Sequence, residues 1–135
     1  MQTGESVSCV LWLSQLSPAC DLGVVKQIWQ SSRRTNSELG LTGAMVFDGE
    51  RFCELLEGDA HAILAACQGI ETDPRHVGPK RLHVSPSPAP RRLNNWRSGY
   101  CDSTELDVFS GDGALEGEAA LTAFLALLSR CELLA

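Results

Sequence analysis

The sequence predicts an α+β fold, a ferredoxin-like βαββαβ sandwich with an added strand and a C-terminal helix. Three observations carry this. The apolar patterns run strand, helix, strand, strand, helix, strand along the chain, the order of the split βαβ unit. An Asp48-Gly49 pair between two apolar runs supplies the positive φ angles that a tight hairpin turn requires. And 135 residues with 44% hydrophobic content suffice for one core, the size of a single domain.

Each element follows in order. Residues 7–14 are a short apolar run with β-branched and aromatic content, ended before Pro18, and read as a buried strand. Asp21 is the expected N-cap of a helix whose apolar positions Leu22, Val25, Ile28 and Trp29 recur at helical spacing until Asn36 and Gly40. Residues 41–47 and 51–56 are the arms of the hairpin, which Gly58 ends. Asp59 is a second N-cap, and Ile63, Leu64, Cys67 and Ile70 form one stripe before Asp73-Pro74 forces the chain out of helix. Residues 81–84 are a weak strand, the prolines of 85–90 an extended connector, and 96–101 a further strand. A glycine-rich polar stretch over 110–117 leads to a last helix carrying Leu121, Phe124, Leu125 and Leu128. Two segments result: residues 1–101 as the folded domain, and 102–135 as an acidic linker with a C-terminal cap or interaction helix.

Composition excludes several classes. No apolar run is long enough to span a bilayer and no basic, then apolar, leader opens the chain, so the reading is a cytoplasmic protein without a membrane partner. Six cysteines without a C-x-x-C pair suit reduced thiols and give no metal site. The net charge of −6 is unevenly placed. Residues 75–97 hold Arg75, Lys80, Arg81, Arg91, Arg92 and Arg97 and no acid, whereas 102–135 is acidic. Without interleaved aromatics the basic stretch is a solvated surface or a partner for the acidic tail, and nucleic acid is not the favoured partner.

Strand alternation places Phe52, Glu54 and Leu56 on one face, opposite Cys53 and Leu55. If Phe52 and Leu56 point at the helices, Glu54 enters the core, where a charge is costly unless paired or protonated; if Glu54 lies near the sheet edge instead, it reaches water. Trp12 poses the related question of what accepts from its indole N–H, and Glu54 is a candidate.

The stretch S-S-R-R-T-N-S-E-L-G-L-T-G-A-M-V-F-D-G-E-R-F-C-E-L-L-E-G over 31–58, with I-E-T-D-P-R-H over 70–76 and R-R-L-N-N-W over 91–96, resembles the BLUF family of FAD-binding blue-light sensors. The likeness covers about residues 8–101. It implies a flavin between the two helices, with Ile28 and Ile70 as an aliphatic clamp, Asn36 and Arg75 as hydrogen-bonding partners of the ring, and Asp73 and His76 near the ring edge and ribityl chain. A capped helix end is the other reading of Asn36 and of Asp73-Pro74. The resemblance also implies a photochemical Tyr on the first strand and Gln on the third. Here those positions are Trp12 and Glu54. Indole only donates, and ionised Glu only accepts, so the family relay cannot run unchanged. A direct Trp12 to Glu54 hydrogen bond would satisfy both and fill part of the pocket. Trp96 is retained, while Ser98 stands where many members carry a signal-relaying Met.

The expected function is therefore a non-enzymatic sensory or regulatory module, photochemically degenerate, with flavin affinity reduced or lost. Its protein partner or second copy would meet the open sheet face and the C-terminal helix, since the resemblance implies a homo-oligomer. The alternative is an FAD-binding light or redox sensor of altered chemistry. A small hydrolase on the same fold is weaker, for no glycine-rich anion loop is present.

Overall fold

A computed structural model describes residues 7–85 and 91–134. The elements are β1 (Val7–Leu16), α1 (Val24–Glu38), β2 (Thr42–Phe47), β3 (Arg51–Asp59), α2 (Ala60–Thr72), β4 (His76–Ser85), β5 (Trp96–Tyr100), a short 3-10 turn (Asp107–Phe109), α3 (Gly117–Leu128) and β6 (Glu132–Leu134). They form the expected α+β arrangement around a six-stranded sheet in the order β4-β1-β3-β2-β5-β6. β3 lies antiparallel between β1 and β2, and β5 joins parallel to β2, so the split βαβ core gains one strand pair at its β2 side.

Local chemistry accounts for the element ends. At the hairpin, Gly49 has φ +104°, in the region that Cβ-bearing residues avoid, and the Asp48 carboxylate accepts from the Glu50 and Arg51 N–H groups at 2.9 and 2.6 Å. Asp59 caps α2 by accepting from the His61 and Ala62 N–H groups at 3.0 and 3.3 Å. Asp21 does not cap α1. Its carboxylate accepts from the Gly23 N–H at 2.9 Å in a local turn, the helix begins one residue later, and Leu22 is left outside it and exposed. In α2 the buried stripe is Ile63, Ala66 and Cys67, and Leu64, about 100° round the helix from Ile63, is exposed. β3 runs through Gly58 to Asp59. β6 is only three residues long, too short to show a periodic pattern. The proline connector falls largely on residues 86–90, outside the described residues.

Two cores result, one on each sheet face. Val10, Trp12, Phe47, Phe52 and Leu56 pack with Ile28, Trp29 and Ile63 of α1 and α2. Leu11, Val46, Cys53 and Leu55 pack with Phe109, Leu121, Phe124 and Leu128. The expected open face is therefore closed by the chain's own α3, whose Phe124 is wholly buried. The cause is hydrophobic: strands β1 and β3 are apolar on both faces, and the last helix supplies the cover that a sheet buried on both faces needs.

The two oppositely charged segments meet in part. Lys80 lies 3.5 Å from Glu116 and His83 3.4 Å from Glu118, joining β4 to the tail. Arg92 instead reaches Glu57 of β3 at 3.1 Å.

Candidate ligand cleft

The site is built on the middle of β3. Glu54 is the Cα partner of Trp12 on β1 and of Met45 on β2, and with Phe52 and Leu56 it faces the layer of α1 and α2. It does not reach water at an edge, for it is only 3% exposed. The Trp96 indole N–H donates to Glu54 Oε2 at 3.1 Å. Burial pushes the Glu54 carboxyl up to about 7, against the opposing pull of the Trp96 hydrogen bond and of the neighbouring Asn36 amide, which favour the ionised form.

Trp12 does not make the expected bond to Glu54. Its Nε1 is buried and without a hydrogen-bond partner among the described residues. The ring extends toward α2, where the Cys67 thiol lies beside the indole without meeting hydrogen-bond geometry, and the Arg81 guanidinium stands 5.2 Å from the ring centroid. Paired strand residues project side by side from the sheet, and the far edge of an indole reaches past its neighbour. Trp96, which enters from β5 on the other side of β2, approaches Glu54 end-on.

The C-terminal end of α2 contributes a second polar group. Arg75 Nε and Nη2 donate to the two Asp73 carboxylate oxygens at 2.9 and 2.8 Å, and Nη2 also donates to Ser31 Oγ of α1 at 3.3 Å. Burial raises the Asp73 carboxyl, but the Arg75 hydrogen bonds and charge outweigh it and hold the group below its ordinary value. His76 Nδ1 lies 2.9 Å from Ser14 Oγ, and its ring meets Phe52 edge-on at 5.0 Å. Burial lowers the His76 pKa, opposed by Asp73 and reinforced by Arg75, which favours the neutral imidazole.

Between these groups, α1 and α2 leave a cleft of about 400 Å³. It brings together Asn36, Glu54, Ile70, Asp73, Arg75 and His76, with Met45, Leu56 and Ala66 as its apolar floor and wall. Ile28 is not on its wall: it is fully buried against the sheet, and α1 presents Ser31, Ser32 and Thr35 to the cleft. Trp96 touches the cleft only through Glu54. Ser98, 5% exposed, is the Cα partner of Met45 and of Leu134 and lies on a neighbouring groove with Trp29 and Tyr100. A larger concavity of about 740 Å³ surrounds the β2–β3 turn, and Arg51, its one basic side chain among the described residues, is engaged by Asp48, Asp107, Ser110 and the Ser103 carbonyl.

One functional group of β3 has no counterpart in the sequence reading. Glu57 is fully buried, and its carboxylate accepts from the Arg92 and Leu93 N–H groups at 2.8 and 3.0 Å and from Arg92 Nη1 at 3.1 Å. The signal was a second carboxylate inside an apolar strand, three residues after Glu54 and so on the opposite face.

The family profile described as "BLUF: Sensors of blue-light using FAD" matches residues 7–99. Photoactivated adenylate cyclase subunit beta of Euglena longa is 28% identical over 85 residues, 62% of this chain, and the match spans 10% of that protein's own length. Klebsiella pneumoniae BlrP1 with FMN and cyclic diGMP superposes with a TM-score of 0.63 at 27% identity, covering 88% of this chain and 29% of that one. The BLUF protein BlrB in its dark state has a TM-score of 0.72 at 21% identity, over 91% of this chain and 98% of its own, a likeness of fold.

Proposed function

Because the chain belongs to the BLUF family, sensors of blue light using FAD, we propose that it is a sensory or regulatory module whose photochemical relay is dismantled and whose flavin affinity is reduced. The observation that carries this is the pairing in the cleft. Glu54, at the position that resembles the family's Gln, is a buried carboxylate accepting from Trp96, while Trp12, at the position of the Tyr, has an N–H with no acceptor among the described residues. No hydroxyl and no amide stand there to exchange a proton and rotate.

The cleft fits the body of a flavin but not its edge. Its volume and its apolar surfaces at Met45, Leu56 and Ile70 suit a planar ring, and Asn36 and Arg75 are the residues that would hold it. A flavin edge presents carbonyl, N–H, carbonyl, and an ionised carboxylate beside either carbonyl is repelled. When bound, a flavin would supply the light absorption. The chain's own residues do the rest: Glu54 holds or releases a proton, and Trp96 ties that carboxyl to β5. From β5 the path leads to Ser98 and β6, and the partner, a second protein or a second copy, meets the C-terminal elements, with residues 102–135 serving as cap and interaction segment.

A second reading rests on the raised Glu54 pKa. Below about 7 the protonated carboxyl can donate one hydrogen bond to a flavin carbonyl, which gives an FAD-binding light or redox sensor of altered chemistry. The two separate in one measurement: visible absorbance of the purified protein with excess FAD, after removal of free ligand, in darkness and under blue light. Weak flavin retention that improves from about pH 8 to about pH 6, without a light-induced red shift, is expected. Stoichiometric flavin at both pH values with a light-induced shift would refute the functional reading. Joint Glu54→Gln and Trp12→Tyr replacement is expected to restore both flavin and shift.

A further inference from the structure

Glu54 also dictates which ligand edge the cleft prefers. Its carboxylate is fixed from the sheet side by the Trp96 N–H at 3.1 Å, and both it and Asn36 line the cleft. The basic side chains there are engaged: Arg75 with Asp73 and Ser31, His76 with Ser14. Among the described residues these two are the only basic side chains of the cleft, so a phosphate finds no unpaired cation in it. What a ligand meets is an apolar lining of Met45, Leu56 and Ile70, the uncharged hydroxyls of Ser32 and Thr35, and an ionised carboxylate, acceptor-only, beside the Asn36 amide. A carboxylate takes two parallel N–H donors from one planar edge, one on each oxygen, and charge-assisted bonds of this kind are about twice as strong as neutral ones.

We propose that the cleft binds an uncharged bicyclic heterocycle through a 2-amino-4-oxopyrimidine edge, the edge shared by pterins and guanine. Glu54 accepts from the ring N–H and the exocyclic amine, and the Asn36 amide donates to the adjacent carbonyl. This rests on the functional reading above, in that it takes the cleft as a ligand site whose fit to flavin is lost. It goes further by assigning the loss to a change of edge chemistry: a flavin offers one donor between two acceptors, and this edge offers two donors together.

The test is isothermal titration of the full chain at about pH 8, where Glu54 is ionised, with pterin, guanosine, N2,N2-dimethylguanosine and riboflavin, on wild type and Glu54→Gln. Pterin or guanosine is expected to bind at least about tenfold more tightly than riboflavin, and the dimethylated nucleoside, which lacks the exocyclic donors, about tenfold more weakly than guanosine. Glu54→Gln is expected to abolish or reverse the preference. The ranking of pterin against guanosine identifies the source of the edge. Equal or tighter riboflavin binding by wild type, no heat from pterin or guanosine up to about 1 mM, or full binding of the dimethylated control would each overturn the proposal. Wild type alone decides these outcomes, so they stand even if the variant fails to fold. A flavin-free protein indifferent to the donor edge defeats this proposal only, whereas stoichiometric FAD with a light-induced shift defeats the functional reading beneath it.

Discussion

At the scale of single residues, Glu54 makes stability depend on pH. The folded chain holds its proton up to about 7, whereas a free carboxyl releases it near 4.5, so between those values the folded state binds more protons and stability falls as pH rises. A shift of that size corresponds to roughly 3 kcal/mol lost by about pH 8. Glu54→Gln removes the charge while keeping an acceptor for the Trp96 N–H. It is expected to stabilise the protein by about 1–3 kcal/mol at about pH 8 and to change little at about pH 4, read from urea denaturation at both pH values. Trp96→Phe acts in the other direction. It leaves the carboxylate without its 3.1 Å donor, raises the Glu54 pKa further, and is expected to cost about 1–3 kcal/mol, most of it above about pH 7. That Glu54 shares a face with Phe52 and Leu56 was legible from alternation. That Trp96 rather than Trp12 would satisfy Glu54 was not, because β5 contacts this face through a parallel crossover that no local pattern records.

At the scale of elements, local chemistry was readable wherever one residue type dominates the local energetics. Asp48-Gly49 and the Asp59 cap follow from side chains that bond their own backbone, and Asp59→Ala is expected to lower stability by about 1 kcal/mol in chemical denaturation. Asp21 misled because a local turn competes with capping for the same carboxylate. Leu64 misled because one apolar residue beside a stripe looks like part of it. β6 escaped for want of length, and Glu57 because its partners are backbone N–H groups 35 residues away. Glu57→Gln keeps one acceptor but loses the charge that answers Arg92. It is expected to cost about 2 kcal/mol and to loosen residues 91–93, measured by thermal melting and by protease sensitivity of that segment.

At the scale of the whole molecule, the sandwich is three layers deep, and α3 makes the third. Phe124 and Leu121 lie against a sheet face that is otherwise apolar, so a chain ending before residue 117 is expected to bind a hydrophobic dye and to self-associate on sizing columns. A stable, monomeric truncated form would instead make 117–135 a dispensable cap. The sequence pattern revealed the helix but not which surface it would cover, since an amphipathic stripe packs equally well on its own sheet or on another chain. The two carboxylates of β3 add one more property. Glu54 grips Trp96 on one face and Glu57 grips Arg92 and Leu93 on the other, so the approach to β5 is stapled to β3 from both sides, although β2 stands between the two strands in the sheet. Residues 91–96 are therefore expected to open together with β3. In native-state hydrogen exchange the amides of Arg92 and Leu93, though outside any strand, should exchange as slowly as those of the central strand and far more slowly than those of β6.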